Sequence, residues 1–193
     1  MVASTHDGPE RTRRIDAQRN QARIFAAAKS CFADKGAAAR MEDIARLAQM
    51  GVGSLYRSFG SRAGLAEAIF RDSLNELVVL ANQLSAQKDP AASLKIWLRT
   101  YTTELYGKRL MLGDLLPLFD AQPQLVIDAR AHAVAALAKV LTKAQAEGAV
   151  RGDVDAHALM QLVNGLAAPA DGDPDRAHLL LDVVLDGLSL GHR

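Results

Sequence analysis

The chain contains very few residues of the kinds that define disulfide-rich, metal-binding or membrane-spanning proteins. Among its 193 residues there is one cysteine, Cys31, which by itself can form neither an internal disulfide nor a thiolate metal site. No apolar run approaches the roughly 18 residues that a membrane-spanning helix needs. The N-terminal segment is polar and contains arginines where a secretory signal has an apolar stretch. We therefore expect a cytoplasmic protein that does not bind a membrane.

The chain also lacks any stretch in which apolar and polar residues alternate with β-branched enrichment, so no sheet is predicted. Apolar residues make up 49% of the sequence and recur with helical spacing almost everywhere. Ile24, Ala27 and Phe32, for example, share one face of a predicted helix. Turn signals such as Gly36 and Pro90 separate the helices. The predicted fold is all-α, with about nine helices.

Composition divides the chain into three predicted parts. Residues 1–17 are polar and lack an apolar period, which predicts a flexible basic arm. Residues 18–62 are predicted to form a small three-helix domain, followed by a long connecting helix over about 61–84, and residues 63–193 a larger helical domain. Residues 1–62 hold 11 Lys and Arg against 6 Asp and Glu, whereas the rest holds 12 against 16. A basic N-terminal part is typical of a module that binds phosphate, although a solvated basic tail gives the same balance.

The most informative pattern lies in residues 41–62, which predict two short helices with a tight break before Gly51. The small Ala45 and Ala48 allow these helices to approach closely, as a helix-turn-helix requires. In such a unit the second helix enters the DNA major groove, while nearby arginines contact phosphates. Two helices of an ordinary bundle would give a similar pattern. The predicted DNA-binding residues are Arg40, Arg46, Gly51, Val52, Gly53, Ser54, Tyr56, Arg57, Ser58 and Arg62.

Residues 19–70 resemble the N-terminal DNA-binding domain of TetR-family regulators. The matching residues are Arg23-Ile24-Phe25-Ala26-Ala27-Ala28, Cys31-Phe32, Gly36, Ile44-Ala45, Ala48, Gly53-Ser54-Leu55-Tyr56, Phe59, Ser61-Arg62 and Leu65. Several positions depart from the family pattern, among them Gly60 in place of a frequent Pro, and Ala63 and Gly64 in place of the usual Glu-Ala. Gln49 replaces a turn glycine, which predicts an altered turn or a strained backbone, and Arg40 stands where a Thr, Ser or Pro commonly opens the helix.

The C-terminal half resembles the SbtR-like group of TetR C-terminal domains. The similar segments are 97–101, 108–109, 145–155 and 179–188. The resemblance implies a helical domain that binds a small-molecule effector in a cavity and forms a homodimer through its last two helices. The residues predicted to line the cavity are Trp97, Tyr101, Leu116, Phe119 and Met160.

The last two helices, predicted near 154–168 and 174–189, carry apolar residues on more than one face. One apolar face of these helices can cover the chain's own core, and the remaining apolar residues predict an isologous two-fold interface. The predicted interface residues are Leu159, Leu162, Val163, Leu166, Leu180, Val184 and Leu188.

Other residues with chemical potential do not form a recognisable site. No two of His132, His157 and His178 have the spacing of three to five residues that puts two metal ligands on one helix face. Neither a nucleophile elbow nor a phosphate-binding loop is present in the sequence. We therefore expect no metal, no cofactor and no enzymatic activity.

The sequence thus predicts a transcriptional regulator that binds double-stranded operator DNA as a homodimer. In the family it resembles, such a protein is usually a repressor that a small-molecule ligand releases from the operator. Two alternatives stay open. In the first alternative, the C-terminal domain has a filled core, holds the dimer together and does not respond to a ligand. In the second, the chain is a helical interaction module or an enzyme, and the two short helices pack against each other without binding DNA.

Overall fold

The computed structural model describes residues 9–112, 123–167 and 173–189. In these ranges there are eight α-helices and one short 3-10 helix, Gly36–Ala38. The α-helices are α1 (Pro9–Lys35), α2 (Met41–Leu47), α3 (Val52–Phe59), α4 (Arg62–Leu84), α5 (Pro90–Leu112), α6 (Pro123–Ala146), α7 (Ala156–Ala167) and α8 (Pro174–Leu188). The described ranges contain no strand, only an isolated bridge between Val150 and Ser189. The all-α prediction is confirmed, and the helix number in these ranges is close to the expected one.

Several helix starts follow local capping signals. The Oγ of Ser61 accepts a hydrogen bond from the N–H of Gly64 at 3.1 Å, just before α4. Asp89 caps α5 in the same way, through the N–H of Ala92 at 2.9 Å, and Asp173 caps α8. Such caps satisfy N–H groups that have no partner within the helix. The long connecting helix expected over about 61–84 is observed as α4.

The first helix is longer than the apolar pattern indicated. Because α1 begins at Pro9, residues 9–17 are helical and do not belong to an irregular arm, whereas residues 1–8 lie outside the described ranges. A proline suits the first helical position, where its missing N–H leaves no bond unmade. The described side chains from Arg11 to Arg23 are exposed. The described side chains of this segment therefore form no buried face, and a search for an apolar period cannot detect the helix there.

The chain forms two compact units, Met1–Leu65 and Ala66–Arg193. The core of the first unit comes from α1, α2 and α3. Phe32, Ile44 and Leu55 are buried there, and the rings of Phe25 and Phe59 lie with their centroids 6.0 Å apart. These contacts build the predicted three-helix domain.

The second unit has its own core, to which the five helices from α4 to α8 contribute and in which Trp97 is central. The Nε1 of Trp97 donates to the carbonyl oxygen of Leu77 at 3.0 Å, and its ring stacks on Tyr101 with 5.5 Å between centroids. Leu137 and Leu159 are fully buried in the same cluster. Within the described part of the chain, no helix has both the length and the apolarity that crossing a membrane demands.

Candidate functional site

Helices α2 and α3 form a tight pair joined by a short turn. Ala45 and Ala48 on α2 and Leu55 on α3 are all buried, and no long side chain at the two alanines holds the helices apart. Gly51 is the N-cap of α3, with extended backbone at φ −71° and ψ 133°. This is the helix-turn-helix arrangement that the sequence predicted.

Helix α2 ends in a Schellman turn whose left-handed residue is Gln49. The N–H of Met50 donates to the carbonyl of Ala45 at 2.9 Å, and the N–H of Gln49 donates to that of Arg46 at 3.1 Å. Gln49 has φ 54°, the only positive φ of a non-glycine residue in the described ranges. The same turn ends α6, where Gly148 takes the left-handed position with φ 69°. The strain predicted from the missing glycine is therefore present in the backbone.

The outer face of α3 is accessible along its whole length. Val52, Gly53, Arg57 and Ser58 are exposed, Tyr56 is 42% exposed, and Ser54 is half-buried. An Nη2 of Arg57 donates to the Oγ of Ser54 at 2.8 Å, which holds the guanidinium along the helix. All predicted residues of this helix thus lie away from the core, whereas Leu55 faces it.

Two further predicted cations lie at the two ends of α2, Arg40 at its N-cap and Arg46 in its last turn. Arg40 is exposed at the N-cap of α2 and makes no side-chain cap bond, so the usual capping function is missing there. The side chain of Arg46 is 78% exposed and pairs with Asp43 at 3.0 Å. Hydrogen bonds from Lys35 and Arg46 lower the pKa of Asp43, which keeps this carboxylate ionised between two cations. Arg46 therefore remains accessible to an external anion.

Arg62 lies apart from the other predicted phosphate contacts. Its Nη2 donates to the carbonyl oxygen of Gly36 at 3.1 Å, and its guanidinium lies 5.4 Å from the ring centroid of Phe32. The side chain thus ties the first turn of α4 to the end of α1 inside the first unit. Spacing along the chain could not reveal this, because both partners are distant in sequence.

The second unit contains a cavity of about 620 Å³ that is open to solvent, and this volume lies within the usual range for ligand sites. Of the predicted residues, Tyr101 and Met160 line it. Trp97 belongs to the core instead, and Leu116 and Phe119 lie outside the described residues. The lining residues from four helices are Phe70, Leu74, Tyr101, Leu105, Val126, Ala129, Arg130, Ala133, Met160, Gln161 and Asn164.

The polar part of this lining was missed by the sequence analysis. The hydroxyl of Tyr101 donates to the Oδ1 of Asn164 at 2.7 Å. Burial raises the pKa of the Tyr101 phenol, and the bond to Asn164 and the charge of Arg130 oppose that rise. Arg130 shares a helix face with Ala129 and Ala133. An arginine on an otherwise apolar helix face was the available sequence signal.

The last two helices leave apolar side chains on the surface. Leu162 is 48% exposed, and Leu179 and Val183 are each 65% exposed. Among the predicted interface residues, Leu166, Leu180 and Val184 are half-buried.

Three of the other predicted interface residues, Leu159, Val163 and Leu188, are buried in the chain's own core. They were assigned to the wrong face because a helix with apolar residues on several faces does not indicate which face is turned inward. Over the described ranges, no group of three His, Cys, Asp or Glu residues could hold a metal ion.

Comparison with known proteins identifies two regions. A family model described as "Bacterial regulatory proteins, tetR family" matches residues 24–69, and one described as "Transcriptional regulator SbtR-like, C-terminal domain" matches residues 89–190. The TetR transcriptional regulator SCO0520 from Streptomyces coelicolor has a similar structure, with a TM-score of 0.77 and 32% identity over 88% of this chain and 98% of that one.

Two other relatives cover nearly the whole chain. A TetR transcription regulatory protein from Mycobacterium vanbaalenii has a TM-score of 0.74 and 29% identity, over 92% of this chain and 99% of that one. The HTH-type transcriptional regulator TtgR from Pseudomonas putida is 27% identical over 185 residues, which span 87% of this chain and 88% of TtgR. The matched regions thus include both the helix-turn-helix and the helices around the cavity.

Proposed function

The chain belongs to the TetR family of bacterial transcriptional regulators and has an SbtR-like C-terminal domain, and on that premise we propose that it is a repressor that a small molecule releases from operator DNA. The observation that carries this proposal is the presence in one chain of an exposed helix-turn-helix and an apolar cavity. A filled second unit would instead favour a regulator that does not respond to a ligand.

We assign the first turn of α3 to base edges and its flanks to phosphates. Gly51 and Gly53 support this assignment, because neither has a positive φ. A Cβ at Gly51 would meet nothing within 4 Å, and one at Gly53 would meet only Arg57 at 3.5 Å. Nothing within the unit thus requires small residues at these positions. A partner surface that approaches the backbone closely explains Gly53, and duplex DNA in the major groove is such a surface. The position of Gly51 at the N-cap, where glycine is favoured, also accounts for that residue.

The proposed phosphate contacts surround this turn. Arg57 and Tyr56 are exposed on α3, and Arg40 and Arg46 are exposed beside α2. Arginines bind phosphate oxygens well, because the guanidinium offers several donors in one plane. Because Arg62 donates inside the unit, we assign it a structural role in holding α4.

We further propose a homodimer that reads two half-sites. One helix-turn-helix contacts too few base pairs to select a genomic site, and a two-fold dimer doubles that number. Leu162, Leu179 and Val183 offer exposed apolar surface for an isologous contact through α7 and α8. Since genomic DNA is the proposed partner, we expect the protein to act in the bacterial cytoplasm.

The test is to select bound fragments from the source genome and to titrate the enriched duplex with the protein by fluorescence anisotropy at fixed salt. A library of apolar small molecules is then screened for compounds that release the duplex. The variant Leu105→Trp, which adds bulk to the cavity lining, is expected to bind the duplex normally and to lose the response. Release that persists unchanged in this variant would contradict the assignment of the cavity as the effector site.

A further inference from the structure

The lining of the cavity in the second unit is mostly apolar and carries a positive charge and several hydrogen-bond donors. This pattern indicates which kind of effector the cavity would bind. Most of the lining is apolar, from residues such as Phe70, Leu74 and Val126. Among the described lining residues, none is Asp or Glu, and Arg130 is the only charged one. A molecule that fills this space therefore meets a largely apolar wall with one positive charge.

The remaining polar groups of the wall add donors. The Oδ1 of Asn164 already accepts the hydroxyl of Tyr101 at 2.7 Å. The amide N–H groups of Asn164, which donate and do not accept, can serve a ligand. Arg130 contributes five N–H donors and no acceptor, and Gln161 contributes both a donor and an acceptor. The described wall therefore has more donors than acceptors to offer.

The phenol of Tyr101 does not offset this positive character. Because burial raises its pKa, it stays neutral at physiological pH, and its proton is already given to Asn164. The side chain of Arg130 is exposed at this wall, and the field of its charge lowers the pKa of the same phenol, against the effect of burial. A negative group on a ligand would feel the same field.

We propose that the effector cavity selects an amphipathic anion, with an apolar body against Phe70, Leu74 and Leu105 and an acidic oxygen group on Arg130. The ligand class is an apolar molecule with one carboxylate, sulfonate or phosphate group, since all three offer oxygen acceptors to a guanidinium. This inference rests on the proposed function, because it names the chemistry of the effector that the cavity would bind.

The experiment compares two fluorescent probes that differ by one group: anilinonaphthalene sulfonate and its uncharged parent, phenylnaphthylamine. Dissociation constants are measured for the full chain and for Arg130→Gln, Arg130→Lys and Lys88→Gln. Lys88 is exposed in the loop between α4 and α5, so its substitution removes one positive charge from the same unit without touching the cavity. Circular dichroism verifies that each variant is folded.

We expect the sulfonate to bind about tenfold more weakly to Arg130→Gln, because a hydrogen bond to a charged group is lost. Arg130→Lys should restore part of the affinity, Lys88→Gln should have no effect, and the uncharged probe should not distinguish the variants. If both probes bind and Arg130→Gln weakens neither or both equally, anion selection is wrong while the effector site stands. If neither probe binds the folded protein, the cavity is not a ligand site, and the ligand-released repressor proposal fails with it.

Discussion

The substitution Gly53→Ala separates folding from DNA recognition, because it is expected to change the two in opposite directions. Gly53 is the second residue of α3, and a Cβ there would lie 3.5 Å from Nη1 of Arg57, an ordinary van der Waals contact. Alanine restricts the unfolded chain more than glycine does, so the free energy of unfolding should rise by about 0.5 kcal/mol. For a chain of this size that corresponds to an increase in Tm of about 1–2 °C.

Operator binding should move the other way. A methyl group inserted into a close-packed contact typically costs about 1–3 kcal/mol, which weakens the affinity by about tenfold. Tm is measured by circular dichroism, and operator affinity by anisotropy at fixed salt. Gly152→Ala is the control, because a Cβ at this exposed glycine meets nothing within 4 Å and lies outside the helix-turn-helix. Unchanged operator affinity in folded Gly53→Ala would refute the close approach of DNA to α3.

Four other substitutions test three separate parts of the structure. Gln49→Gly should raise the free energy of unfolding by about 1 kcal/mol, because glycine adopts the left-handed conformation without strain. Gly148→Ala should lower the free energy of unfolding by a similar amount. If thermal denaturation gives both variants the Tm of the unmodified chain, the strain argument is wrong. Val183→Asp should give folded monomers in sedimentation, because it places a charge in the proposed apolar interface, and a dimer that persists would exclude this face. Hydrogen bonds from Arg99 and Lys95 lower the pKa of Asp182 in the folded state. The stability that this carboxylate adds is therefore present above its unfolded pKa and is lost as the pH falls through and below about 4. Asp182→Asn should flatten the acid part of a plot of Tm against pH, and identical plots for the two proteins would count against the ion pairs.

Local signals predicted the helix boundaries well, because a helix start is decided by a few neighbouring residues. Ser61 and Asp89 are residue types that commonly cap helices, and the side chains of both accept hydrogen bonds from backbone N–H groups at a helix start. The start of α1 at Pro9 was missed, because the sequence of its first turns has no apolar period. Charged helix formers can extend a helix into solvent by propensity and by continuation from a packed segment.

Contacts between distant segments were harder to predict. By residue type and position in the sequence, Arg62 looks like a phosphate-binding arginine. Its partners Gly36 and Phe32, however, are brought to it only by the packing of α1 against the start of α4. For the cavity, the sequence identified Tyr101 and Met160 but not Arg130, because which face of a long helix lines a space depends on its neighbours. The resemblance predicted the existence of a cavity, and the folded structure identified the rest of its lining.

The most direct test of the central claim is the genomic selection carried out in parallel with the full chain and with Tyr56→Ala/Arg57→Ala. Both residues are exposed on α3, away from the buried Leu55, so the double variant should fold and dimerise normally. We predict that the full chain enriches fragments that share an inverted repeat and that the variant enriches none, because the two phosphate contacts per protomer are lost. Equal enrichment by the variant, or no enrichment by the folded full chain, would contradict the claim that α3 binds operator DNA.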